Sequence, residues 1–193
     1  MASLAHHFRT MAFNNAWANH RLLKACAQLS DAEFAAPRTS FFPSLRHTLS
    51  HNLTVDWYYV DLLERSARGA PHNLEAGRFF EPEQPFATCA ALTVAQRAVD
   101  TRLIGLCTSL TDARLDDPVQ VPRRSGVLID SFTRILAHLF QHQIHHRGQA
   151  HAMLAGTAVA PPQLDEFFCS NEADLRAPDF AELGFDEARI WSV

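Results

Sequence analysis

The stretch FTRILAHLFQHQIHHRGQAHAML, residues 132–154, decides how the rest of the chain reads. Residues taken alternately three and four apart stay on one stripe of an α-helix, and here that stripe is Phe132, Ile135, Leu139, His142, His146, Gln149 and Met153. Two imidazoles interrupt an apolar seam. His142 and His146 differ by about 40° around the axis and by one turn along it, so their ring nitrogens can converge on one ion. His138 and His145 fall on a neighbouring polar or small stripe with Gln141, Gly148 and Ala152, and His151 lies roughly opposite His142. Those three read as surface or interface residues. Two histidines do not hold a metal tightly by themselves, so a third ligand is expected elsewhere.

A chain of 193 residues fits one domain that buries roughly 70% of the surface its unfolded form exposes. The 47% hydrophobic and 20% charged residues are those of a globular rather than a disordered chain. A net charge of -4, with no basic run beyond the isolated pair Arg123 and Arg124, argues against a nucleic-acid partner. No apolar run is long enough to span a bilayer, so no membrane partner is expected. Cys26, Cys89, Cys107 and Cys169 are widely spaced and form no CxxC, which fits a reducing compartment and a cytoplasmic location. The acid-free first thirty residues read as a helix rather than a transit peptide.

In chain order, a first helix is expected over Leu4–Leu29, burying Leu4, Phe8, Met11, Leu22, Cys26 and Leu29. Asp31–Phe42 reads as a connector, and Pro43 as a first-turn residue of a second helix reaching about Arg68. Its inward stripe is Ser44, Thr48, His51, Val55, Tyr58 and Leu62, whereas His47 shares a heptad position with Thr54 and Asp61 and should face water. Gly69–Pro85 reads as a long surface loop. A third helix over Thr88–Leu110 buries Leu92, Ala95, Val99, Leu103 and Leu106 and carries nothing chemical. The alternation of Val119, Val121, Val127 and Ile129 around Pro122–Gly126 predicts a short β-hairpin. The histidine helix then starts at Asp130 or Ser131 and ends before a left-handed Gly156. The expected fold is all-α, a four-helix bundle over 1–168 with a hairpin between helices three and four, and a tail over 169–193 packed on it.

His51, His142 and His146 are the candidate metal ligands. Three neutral imidazoles suit zinc, nickel, copper or iron and leave a coordination place open for water or substrate. Asp56 lies about 140° around the helix from His51 and Arg147 about 140° from His142, and both read as interhelical or interface contacts. Gln149 follows His146 on the inward stripe and can hydrogen-bond a ligand or substrate. Trp17, Trp57 and Tyr58 read as core.

HQIHHRGQAHAML at 142–154 and PPQLDEF at 161–167, with FNNAWANHRLL at 13–23 and FFPSLRHTLSHNLTVDWYY at 41–59, resemble the DinB family, also called DinB/YfiT-like. The resemblance implies a metal, zinc or nickel, on His51, His142 and His146, a homodimer, and relatives that act as S-transferases or isomerases with low-molecular-weight thiols. The function expected is that of a metal-dependent enzyme activating a thiol cosubstrate or water toward a small-molecule substrate, by transfer or hydrolysis. The alternative is a non-catalytic, metal-stabilised dimer that binds a small molecule or acts under stress.

Overall fold

The computed structural model describes residues 3–192. Each long helix begins where a hydroxyl side chain accepts the backbone N–H three residues on, satisfying a donor the helix itself leaves unpaired. Ser3 does this for α1 (Leu4–Cys26), Ser44 for α3 (Leu45–Ala67), Thr88 for α4 (Cys89–Ser109) and Ser131 for α5 (Phe132–Ala155). A short α2 (Asp31–Ala35) starts at a reciprocal Ser30–Glu33 capping box and inserts a fully buried Phe34. Between α4 and α5 stand antiparallel strands β1 (Pro118–Arg123) and β2 (Gly126–Ser131). The chain closes with α6 (Ala173–Leu183) and α7 (Glu187–Trp191).

The structure is therefore mostly helical with one small sheet, as expected, but several boundaries differ. Helix α1 stops at Cys26, and the connector after it contains α2. Pro43 precedes the cap instead of occupying the first turn; its carbonyl accepts the Arg38 N–H at 2.7 Å and closes the loop. Gly156 has φ −85°, so α5 does not end in a left-handed residue. The hairpin turn is tighter than the sequence implied, because the ladder continues through Pro122↔Val127 to Arg123↔Gly126. Val119 and Val121 are buried, while Val127, Leu128 and Ile129 on β2 are exposed.

Helix α1 packs on α4 and α5, α3 packs on α4 and α5, and β1 lies against α3. Their shared core includes Leu45, Leu53, Leu62, Leu92, Leu103, Phe132 and Leu139. Removing each such side chain from water contributes about 1.5–3 kcal/mol. Leu4, expected inside, is exposed at the helix start, and Met11 is half-buried. Cys26, Cys89 and Cys107 are free and buried, and Cys169 is exposed. Among the described residues no helix is long and apolar enough to cross a membrane.

The C-terminal segment, which periodicity left unassigned, forms a second cluster in which Phe167, Phe180 and Ile190 pack with Trp17 of α1. Arginines tie it down. Arg21 pairs with Glu166 and Asp179 while stacking 4.5 Å over Trp17. Arg176, fully buried, donates to Glu187 and to the carbonyls of Glu166 and Cys169. Arg176→Ala strands those acceptors, of which Glu187 stays partly solvated, and should cost roughly 1–3 kcal/mol, read as a lowered urea midpoint. A loss within experimental error would show that the segment is held by apolar packing alone.

Candidate metal centre

Helices α3 and α5 run in opposite directions along their contact, so that Tyr59 meets His138 while His51 meets His142 and His146. Each of the three histidines offers a ring nitrogen, and these nitrogens all lie within 4.8 Å of one another. His51 and His142 are half-buried, and His146 is 6% exposed. The sequence-derived trio is thus brought together, and its donor set could hold a metal ion. Burial, and then the proximity of other imidazoles, pulls His51 down to about 4 and His142 to about 3; burial also lowers His146. All three rings are therefore neutral at physiological pH, the form a metal requires.

Two contacts test the fit. The Nε2 atoms of His51 and His142 are 3.0 Å apart, a separation at which two lone pairs repel unless a proton or a cation lies between them. His146 Nδ1 lies 2.7 Å from Gln149 Oε1, an acceptor that fixes the proton on Nδ1 and leaves the Nε2 lone pair free. Gln149 in turn donates from Nε2 to His145 Nε2 at 3.1 Å. Of the two roles open to Gln149 in the sequence, it takes that of orienting a histidine. The Phe42 ring stands 4.5 Å from His51 and 5.6 Å from His146, shielding one side of the group. His138 and His145 are exposed, and His151 turns to the Pro162 carbonyl.

His47 does not face open water. Only 14% of its side chain is exposed, its ring lies against Phe42, and its Nε2 approaches Glu83 Oε1 at 3.0 Å.

A second correction is larger. Helix α4 was read as carrying no chemistry, yet its Gln96 and Asp100 are buried in a polar cluster at the centre of the four helices. Every long helix contributes a pair four residues apart: Asn15 and Asn19, Asn52 and Asp56, Gln96 and Asp100, Gln143 and Arg147. Arg147 donates to the side-chain oxygens of Asn15, Asn19 and Gln143. The amides of Asn15 and Asn19 donate onward to Asp100, and Gln96 donates to both Asp56 and Asp100. Asn52 and Gln143 exchange two further bonds. Asp56 and Arg147 are therefore interhelical contacts, as expected, but of the interior. The repeated four-residue spacing was the signal available in the sequence.

Two carboxylates here face one guanidinium. Burial, and repulsion by Asp100, push Asp56 up to about 7, and burial pushes Asp100 up to about 6; burial pulls Arg147 down to about 10, still protonated at neutral pH. An acid whose pKa is higher folded than unfolded stabilises the fold fully below about 4 and loses that contribution as pH rises toward 7. Asp56→Asn should flatten the fall in stability between pH 4 and 7 and raise stability at pH 8, by an amount on the order of 1 kcal/mol or more. Urea unfolding across that range checks it; an equal loss at every pH would mean that Asp56 is ionised and paired.

A sequence model of the DinB family matches residues 3–177, a span containing the three histidines and all four polar pairs. Protein DinB of Bacillus subtilis (strain 168) is 26% identical over 158 residues, covering 76% of this chain and 85% of that protein. With a family match over most of its length, the chain belongs to the DinB family.

Proposed function

We propose that this protein is a four-helix-bundle metalloenzyme in which His51, His142 and His146 hold a divalent transition metal, zinc or nickel, for S-transfer or hydrolysis on a small molecule. The observation that carries this reading is the convergence of three neutral imidazole nitrogens within 4.8 Å. Three such ligands leave a coordination place open, and an ion there would lower the pKa of a bound thiol or water toward neutrality. The chain's own residues do the rest. Burial keeps the imidazoles unprotonated, Gln149 holds the tautomer of His146, and Phe42 restricts water on one side. A thiol cosubstrate, a homodimeric assembly and a cytoplasmic location belong to the same proposal. The bundle over 1–168, with the remaining residues strapped to it, is the architecture it assumes.

The second reading is a metal-stabilised dimer that binds a small molecule without catalysis. In its favour, the clustered donors are three histidines, and among the described residues no carboxylate joins them at ligand distance.

Elemental analysis of freshly purified protein should find a stoichiometric transition metal, lost in His142→Ala; full metal content in that variant would sink the assignment. Gln149→Leu should keep the ligands but weaken affinity by roughly 10–100-fold, measured by chelator competition. A screen of low-molecular-weight thiols with the metal-loaded protein separates the two readings: turnover supports the enzyme, and binding without turnover supports the alternative.

A further inference from the structure

Arg123 closes β1 beside the hairpin turn. It is exposed, yet its guanidinium is held in place. Nη1 donates to the Tyr58 hydroxyl at 3.1 Å and Nη2 to the Tyr59 hydroxyl at 3.2 Å, and its carbon lies 5.5 Å from the centre of the Tyr58 ring. Tyr58 is itself anchored, donating to the Pro122 carbonyl at 2.6 Å. Arg21, Arg65, Arg102, Arg114 and Arg176 all pair with a carboxylate. Among the described residues Arg123 has no such partner, and three of the five N–H groups of its fork are unspent.

Its position relative to the histidines matters. Tyr58 is on the same stripe of α3 as His51, seven residues and so about 10 Å along the axis. The Tyr59 ring is 5.2 Å from His138, and His138 is 6.1 Å from His142. Arg123 and His138 are both exposed, so this row leads from solvent to the half-buried edge of the trio. A free arginine loses much rotamer freedom when it grips a ligand; here two hydroxyls and a ring have already fixed the fork. Fork geometry suits the two oxygens of a carboxylate better than it suits any neutral group.

We propose that Arg123 is the anion-binding end of the ligand site, so that the molecule presented to the histidine centre is an anionic thiol whose carboxylate is held well away from its sulfur. The inference rests on the reading of His51, His142 and His146 as a metal centre. Tyr58 and Tyr59 act as positioning residues for the guanidinium. Pinning the hairpin is the competing role for Arg123, and it predicts no ligand selectivity.

The test uses the full chain loaded with cobalt(II), titrated with 3-mercaptopropionate, 6-mercaptohexanoate and 8-mercaptooctanoate and with mercaptoalkanols of matched length, following the sulfur-to-cobalt charge-transfer band. The longer carboxylates should bind roughly tenfold to a hundredfold more tightly than their alcohols, and the shortest should show little preference. Added salt should narrow the gap. Arg123→Gln should abolish the preference and leave alcohol binding unchanged, whereas Arg123→Lys and Tyr59→Phe should retain part of it. A preference absent at every length, or one that survives Arg123→Gln, would overturn the inference while the metal reading stands. Failure of cobalt to bind, or of any thiol to produce the band, would remove the metal reading and this inference with it.

Discussion

Arg147 sits with its guanidinium sealed among four helices, and the amides around it govern much of the architecture. Burying an unpaired cation is costly, but the side-chain oxygens of Asn15, Asn19 and Gln143 accept from it, and the first two pass the interaction on to Asp100. Because each helix contributes a pair four residues apart, the network fixes each helix in rotation as well as position. Successive residues differ by about 100° around a helix. With Arg147 held by Asn15 and Asn19 of α1 and Gln143 by Asn52 of α3, the adjacent His142 and His146 are left on the seam facing His51. Asn52 does the same for its neighbour His51. The histidine group is therefore a consequence of a polar lock one residue away on both helices.

The same burial acts on two kinds of group in opposite directions. It disfavours charge, so carboxylates rise and imidazoles fall: Asp56 to about 7, His142 to about 3. At neutral pH the interior keeps its arginine charged and its candidate ligands neutral. Replacing the lock by a purely apolar layer could give a stable fold, since buried ionic clusters are seldom the most stabilising solution. An apolar layer would not specify helix rotation as narrowly, and the convergence of three ring nitrogens depends on that rotation.

Much of the fold was legible locally. The hydroxyl caps, the inward stripe of α3 and the hairpin alternation follow from short-range rules, and the histidine trio followed from two such stripes. The misreadings share a cause. Helix α4 looked inert because its buried face was read from apolar residues alone, whereas Gln96 and Asp100 are also inside, their hydrogen bonds completed by partners on α1 and α3. His47 was assigned to water from its heptad position, without the loop residues Phe42 and Glu83 that lie against its ring. Leu4 was placed in the core although a helix start has no neighbour beyond it to cover it.

By itself the sequence determined the starts of the first, third and histidine-bearing long helices, the apolar seams and which three histidines can share an ion, because these depend on the 3.6-residue repeat and on backbone capping within a few residues. Only the tertiary structure decided that four polar pairs interlock, that Gln149 orients His146, that the last helices are strapped to Trp17, and that Arg123 is fixed by two tyrosines. Each of those arrangements joins residues distant in the chain, and a buried polar side chain is stable only when partners from elsewhere arrive to satisfy it.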